Sequence, residues 1–248
     1  MEAWELGLAF AGSFAAGYLG SMLGLVLGTL RLPLIVVATG SPLAAAGTNV
    51  AISAAAAAAG GLRHARERRV DWRVVAWIAP PSVAGAVLGA LLADDVAERL
   101  LYGLIAAVLA WSGVDLALRP IAPRPRERVR LGRGGALAFG IGVLGGAVGV
   151  ILGTLRMPAL VRSVGLDVRR AAGTNLVVGF LLGVAAFGTH AAGHGVEWRV
   201  LAAGLAGAIP GGWLGARATG RISEDALRLA LGATLVVVGV AFAVQAAA

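Results

Sequence analysis

Two arginines interrupt long apolar stretches, and they do so in the same setting. Arg31 lies in Gly28-Thr29-Leu30-Arg31-Leu32-Pro33 and Arg156 in Gly153-Thr154-Leu155-Arg156-Met157-Pro158. An arginine in hydrocarbon costs at least about 2.5–3.5 kcal/mol on insertion scales, so one that occurs twice in matching places points to use. Proline favours the first turn of a helix, which predicts that Pro33 and Pro158 each start a half-helix. Gly28 and Gly153 permit a break or a close backbone approach ahead of it. A helix N-terminus offers free N–H groups and partial positive charge, which suits an anion. The expected chemistry is anion binding. Arg31 and Arg156 would offset the charge, and Thr29 and Thr154 would hydrogen-bond the oxygens. Two other readings stay open: arginines snorkelling to an interface, and a purely structural hydrogen-bonding role.

A second duplicated element is Gly47-Thr48-Asn49, which returns as Gly173-Thr174-Asn175. Thr48, Thr174, Asn49 and Asn175 supply donors and acceptors without charge early in an apolar helix. They could bind an oxyanion or cap an unwound turn. The alternative is hydrogen-bonded glue between helices, worth about 0.6–2 kcal/mol. Gly47 and Gly173 are expected to serve as backbone positions in the same segment. Gly85/Gly89 and Gly211/Gly215 read as small-residue helix contacts. Pro80, Pro81 and Pro210 are expected to kink their helices. His64, His190 and His194 fall in or near loops, with no third ligand at metal spacing, so no metal is expected. Apart from Asp115 near an edge, no carboxylate lies within an apolar span, which favours anions over cations as cargo.

The rest of the chain is built to carry these residues through a membrane. Of 248 residues 58% are hydrophobic and 14% are charged, against roughly a quarter charged in soluble domains. There is no cysteine, which excludes disulfides, thiolate metal sites and cysteine nucleophiles. Apolar runs of spanning length fall near 6–28, 43–61, 74–92, 100–118, 134–155, 172–189, 200–216 and 226–245. Two extra apolar pieces, 29–40 and 154–165, are too short to cross and too apolar for free loops. The internal offset is 125 or 126 residues throughout: Val70-Asp71-Trp72-Arg73-Val74, for example, returns as Val196-Glu197-Trp198-Arg199-Val200. The expected fold is an all-α polytopic membrane protein with eight transmembrane helices in two tandem four-helix repeats. Each repeat begins with a broken helix followed by a half-helix or re-entrant piece. Repeat 1 covers 1–118, a basic linker 119–133, and repeat 2 covers 134–248.

All 21 basic residues are arginine, and 11 of them fall in 63–73 and 119–133. That bias marks cytoplasmic loops rather than a nucleic-acid surface. Four spans per unit predict two repeats in the same orientation, related by an axis along the membrane normal. Both termini would then be cytoplasmic, and 93–98 and 217–225 would face the other side. Arg162, Arg169 and Arg170 fit this poorly. An inverted second unit would accommodate them but needs an odd number of crossings.

The glycine-rich first spans ending at Pro33 and Pro158, each followed by a Gly-Thr-Asn helix, resemble the TauE/SafE sulfite exporter family, also called the toluene sulfonate uptake permease family. The likeness covers about residues 6–245. The family's Ala-x-Gly/Ala-Thr-Ser/Asn segment is matched by Ala45 to Asn49 and by Ala171 to Asn175. Its usual Gly-Gly-Gly before the proline is replaced here by a stretch that contains the arginine. The resemblance implies a permease or exporter in the bacterial cytoplasmic membrane for sulfite, sulfonates or related organosulfur anions. The expected partners are a small anionic substrate and the lipid bilayer, with no nucleic acid and no cofactor; a homo-oligomer is compatible. Rival readings are an anion channel with an arginine constriction and a non-transporting scaffold subunit. No nucleophile–base pair suggests an enzyme.

Overall fold

A computed structural model describes residues 3–93, 97–118, 131–162, 164–193, 196–219 and 224–247. Ten helices occur among them: α1 (Ala3–Leu23), α2 (Gly28–Thr39), α3 (Pro42–Arg66), α4 (Trp72–Leu92), α5 (Glu98–Leu118), α6 (Leu131–Val148), α7 (Gly153–Arg162), α8 (Val168–Gly193), α9 (Trp198–Arg217) and α10 (Glu224–Ala247). By length and composition, four helices among the described residues can cross a membrane: Ala3–Leu23, Pro42–Arg66, Trp72–Leu92 and Arg169–Ala192. Large apolar side chains, among them Trp77, Trp111, Leu118 and Val237, remain exposed on the outside of the bundle. Residues 119–130 of the expected linker, together with His194, Asp94 and Asp95, lie outside the described residues.

The order α1–α5 returns as α6–α10, and the short apolar pieces expected at 29–40 and 154–165 are α2 and α7. Each first helix stops earlier than its hydropathy suggests. Gly24 and Gly149 take φ values of 70° and 71°, and Leu25 and Val150 donate back to the carbonyls of Gly20 and Gly145 at 2.7 and 2.8 Å. This is a left-handed helix end, in which glycine carries no Cβ penalty. A Cβ on Gly24 would also strike Ala172, and one on Gly149 would strike Ala46. The half-helices start at Gly28 and Gly153, not at the prolines: Pro33 and Pro158 sit one and a half turns further in. The first four N–H groups of a helix have no partner in any case, so the chain can enter the helix on glycine. Pro33 then forgoes one bond beyond that turn, to the carbonyl four residues back.

The packing overturns the parallel arrangement expected from an even span count. The repeat-equivalent helices α3 and α8 run antiparallel: Gly60 packs on Leu176, Gly183 on Ala54, and Gly173 beside His64. So do α5 and α10, where Gly113 meets Gly232 and Gly239 meets Ala106 and Ala110. Helices related by an axis along their own direction would point the same way, so this pseudo-two-fold runs across the bundle. The extra direction change comes from the segment after α1. Gly20 packs on Leu25 and Leu27, and Gly12 packs on Leu34, so residues 24–39 run back alongside α1. The chain then turns at Gly40 and Ser41, whose hydroxyl accepts from Ala44 N–H, and α3 sets out again beside α2. Repeat 1 therefore makes five passes, one of them part extended and part helical.

The halves interlock rather than sit side by side. Gly207, Gly211 and Gly215 of α9 lie against the carbonyls of Phe10, Phe14 and Tyr18 of α1. Gly85 and Gly89 of α4 lie likewise against Phe139 and Val143 of α6. The small-residue pairs read from sequence thus join repeat 1 to repeat 2. One end of the bundle gathers the end of α3, the start of α4 and the end of α9, where Arg63 and Arg66 lie over the Trp213 ring at 5.5 and 5.1 Å. The start of α8 is there too, since Gly173 packs on Arg69. The C-terminus of α9 therefore lies at the arginine-rich end, not opposite it as span parity suggested.

Candidate functional site

The two chain breaks cross at the centre of the bundle, and each is held by the other repeat. Asn49 of α3 donates from Nδ2 to the carbonyl of Gly149 at 2.8 Å. Asn175 of α8 donates from Nδ2 to the carbonyl of Gly24, also at 2.8 Å, and to that of Gly153 at 3.0 Å. A helix end buried in apolar surroundings leaves carbonyls without partners, and a side-chain amide early in the neighbouring helix supplies one. The sequence spacing makes this reciprocal, because each asparagine follows its own break by about 25 residues and faces the other one.

The same asparagines orient the arginines. Arg31 Nε donates to Asn49 Oδ1 and Arg156 Nε to Asn175 Oδ1, both at 3.0 Å. Arg31 and Arg156 are only 2% and 3% exposed, which sets aside the snorkelling reading. Each projects from the first turns of a half-helix whose own start is buried. Leu27, the residue preceding α2, makes no side-chain cap, and the Thr29 hydroxyl is buried with no hydrogen-bond partner among the described residues. The side chains of Thr154 and Pro158 lie outside the described residues. No carboxylate pairs with either arginine among the described residues; the ion pairs seen there are Arg63–Glu67, Arg69–Glu67 and Arg170–Asp167, all near helix ends.

A small cavity borders Arg31. It is lined by Gly17, Ser21, Val26, Gly28, Ser53 and Leu176 among others, and its roughly 10 Å³ of room for a water centre suffices for about one water. Arg31 lines this cavity and Arg156 does not. The Val26 side chain, which lines the cavity, also packs beside Gly179, and Gly179 lies next to Arg156 Nη2.

The threonines of the Gly-Thr-Asn segments do other work. Thr48 Oγ1 accepts the N–H of Glu197 at 3.1 Å, and Thr174 Oγ1 accepts that of Asp71 at 2.9 Å. Each ties the residue ahead of α9 or α4 to the opposite repeat, away from the arginines. Gly173 makes room for the Arg69 carbonyl in the same junction. Gly28 brings α2 against the Ser53 hydroxyl and Gly153 brings α7 against the Asn175 amide.

The bracing roles of one histidine pair and one serine escaped the sequence reading. His64 and His190, expected in or near loops, lie buried in the last turns of α3 and α8, with Nε2 3.4 Å from the carbonyl of Ser21 and 2.9 Å from that of Gly146. These carbonyls belong to the last turns of α1 and α6, so the histidines brace the helices just before they break. Ser53, which accepts from Arg31 Nη2 at 2.7 Å, was also missed. The offset of 126 that pairs His64 with His190 was the available signal.

A scaffold of crossed breaks with paired buried arginines can be placed among known proteins. The family model described as sulfite exporter TauE/SafE matches residues 9–242. The chain belongs to the sulfite exporter TauE/SafE family. A probable membrane transporter protein of Xylella fastidiosa (strain 9a5c) is 30% identical over 86% of this chain and 82% of its own length. Probable membrane transporter protein ORF9 of Sinorhizobium sp is 28% identical over 97% and 91%. Probable membrane transporter protein YdhB of Bacillus subtilis (strain 168) is 24% identical over 94% and 93%. No solved structure matches the chain. This TauE/SafE family member is a multi-pass membrane protein and a membrane transporter.

Proposed function

We propose that this protein is a secondary transporter for small oxyanions, of the sulfite, sulfonate or related organosulfur kind, in the bacterial cytoplasmic membrane. The observation that carries the reading is a pair of guanidinium groups buried at the bundle centre with no carboxylate against them among the described residues. Uncompensated buried charge is costly, and a bound anion supplies the missing partner. Each arginine leaves the first turns of a half-helix, where unbonded N–H groups add positive potential. The Thr29 hydroxyl is a further donor without a partner among the described residues. Asn49 and Asn175 already spend Oδ1 and Nδ2 on the arginines and on the crossed breaks, so in this reading they hold the site rather than touch the anion.

The cavity beside Arg31 has space for about one water, so an anion of four or more heavy atoms fits there only when the helices separate. Antiparallel repeats related by an axis across the bundle suit such a cycle, because exchanging the conformations of the two repeats converts access from one side into access from the other. The same topology supports an orientation in this reading. Arg63, Arg66, Arg68, Arg69, Arg73, Arg169, Arg170 and Arg217 collect at one end, which we place in the cytoplasm. Helix direction then puts the start of α1 and the end of α10 on the opposite face, reversing the orientation expected from span parity. All eight remaining spans would cross, with residues 24–39 and 149–162 as the broken passes.

The test combines binding and flux. Purified protein is screened by thermal shift against sulfite, thiosulfate, methanesulfonate, sulfate and acetate, and binders are carried into proteoliposome flux. Anion-dependent stabilisation and flux that vanish in the Arg31→Ala, Arg156→Ala double variant support the reading. Undiminished flux in that variant, at matched amounts of inserted protein, refutes it.

A further inference from the structure

Duplication places Arg31 and Arg156 in equivalent positions, yet their surroundings are unequal. Arg31 Nη2 donates twice, to the Asn49 carbonyl at 2.9 Å and to the Ser53 hydroxyl at 2.7 Å. The residue aligned with Ser53, 126 positions further on, is Gly179. It has no hydroxyl to offer, and among the described residues Arg156 Nη2 has no hydrogen-bond partner although Arg156 is 3% exposed. Gly179 lies directly beside that group: a Cβ built on it would stand 3.4 Å from Arg156 Nη2, with the γ2 methyls of Val26 and Ile151 at 3.1 and 3.2 Å. A serine at this position would therefore be in reach of the guanidinium. A buried charged donor without an acceptor is the costlier arrangement, and a ligand that supplies the acceptor relieves that cost.

We infer that the two arginines have divided the work: Arg156 is the contact for the transported oxyanion, Arg31 is a positioning residue locked by Asn49 and Ser53, and Gly179 is the residue that leaves Arg156 free. This rests on the oxyanion reading above and deepens it. Arg31 Nε and Nη2 are consumed by α3, so its first service is to pin the half-helix α2 to α3. Among the described residues, Arg156 is engaged through Nε, by Asn175, and presents its Nη2 edge. An oxyanion pairs with that edge through charge-assisted hydrogen bonds, the strong kind in a dry site.

The experiment compares Gly179→Ser with Gly179→Ala. Both add a Cβ against Val26 and Ile151, and only the first adds an acceptor for Arg156. The readouts are the dissociation constants for sulfite and methanesulfonate on purified protein, and the unfolding temperature without anion. The expected result is that Gly179→Ser binds at least about tenfold more weakly than Gly179→Ala, while being the more stable of the two without anion. A second pair keeps the test decisive if position 179 tolerates neither change. Arg156→Gln should lose more anion-dependent stabilisation than Arg31→Gln, and Arg31→Gln should lose more stability without anion. Equal affinities in the two position-179 variants, or the reverse order in the arginine pair, overturn the division of work and leave the oxyanion reading standing. Absence of any response to these anions in the unaltered protein overturns both.

Discussion

Replacing Asn175 by alanine probes the crossing of the breaks at its most heavily bonded point. The side chain makes three hydrogen bonds: it accepts from Arg156 Nε at 3.0 Å and donates to the carbonyls of Gly24 at 2.8 Å and Gly153 at 3.0 Å. Asn49 makes two of these kinds, to Arg31 Nε and to Gly149. Side-chain hydrogen bonds inside membrane proteins average about 0.6 kcal/mol, so three give a floor of about 2 kcal/mol. Two buried groups, Arg156 Nε and the Gly24 carbonyl, would lose their partner at about 1–3 kcal/mol each, which sets an upper range near 6 kcal/mol. At about 2–4 °C per kcal/mol for a chain of this size, Asn175→Ala should lower the unfolding temperature by at least about 4 °C. Asn49→Ala should lower it less, since its side chain makes one hydrogen bond fewer. The assay is thermal unfolding of detergent-purified protein without added anion, with a lipid-facing Val237→Ala as reference. An Asn175→Ala protein that unfolds with the reference, or that is more stable than Asn49→Ala, would refute the argument that the asparagines brace the breaks.

The same geometry sets three further outcomes. Thr29→Val removes a buried hydroxyl that bonds to nothing among the described residues, so stability should hold or rise slightly while anion affinity falls about three- to tenfold; thermal unfolding with and without sulfite reads both. Gly24→Ala and Gly149→Ala add a Cβ at positive φ and against Ala172 or Ala46, so each should abolish recovery of folded protein in detergent size-exclusion, whereas Gly135→Ala, with open space around it, should not. Single cysteines at Arg68 and Arg217 should label from the cytoplasmic face, and those at Glu5 and Glu197 from the other, in a chain with no native cysteine to compete. Labelling of Arg68 and Arg217 from opposite faces would contradict the antiparallel packing of the repeats.

Much of this molecule is readable in one dimension. The apolar runs, the offset of 125 or 126, the broken first helices and the paired Arg31/Arg156 and Asn49/Asn175 come from composition and self-similarity, because insertion in lipid filters residue types position by position. Chain direction obeys no such local filter. Whether residues 24–39 turn out into solvent or run back beside α1 depends on Gly24 and Gly149 closing against Ala172 and Ala46 of the opposite repeat, contacts more than 100 residues away in the chain. That single reversal makes the number of passes per repeat odd and inverts the second unit. Hydrogen-bond assignment is likewise non-local. Asn, Thr and His offer the same donors and acceptors whether they meet an anion or a carbonyl, and only the fold sends Thr48 to Glu197, Asn49 to Gly149 and His64 to Ser21. The duplicated sequence makes two arginines equivalent; the tertiary contacts of Ser53 and Gly179 make them different, because an arginine's availability is decided by the acceptors that surround it and not by its own identity.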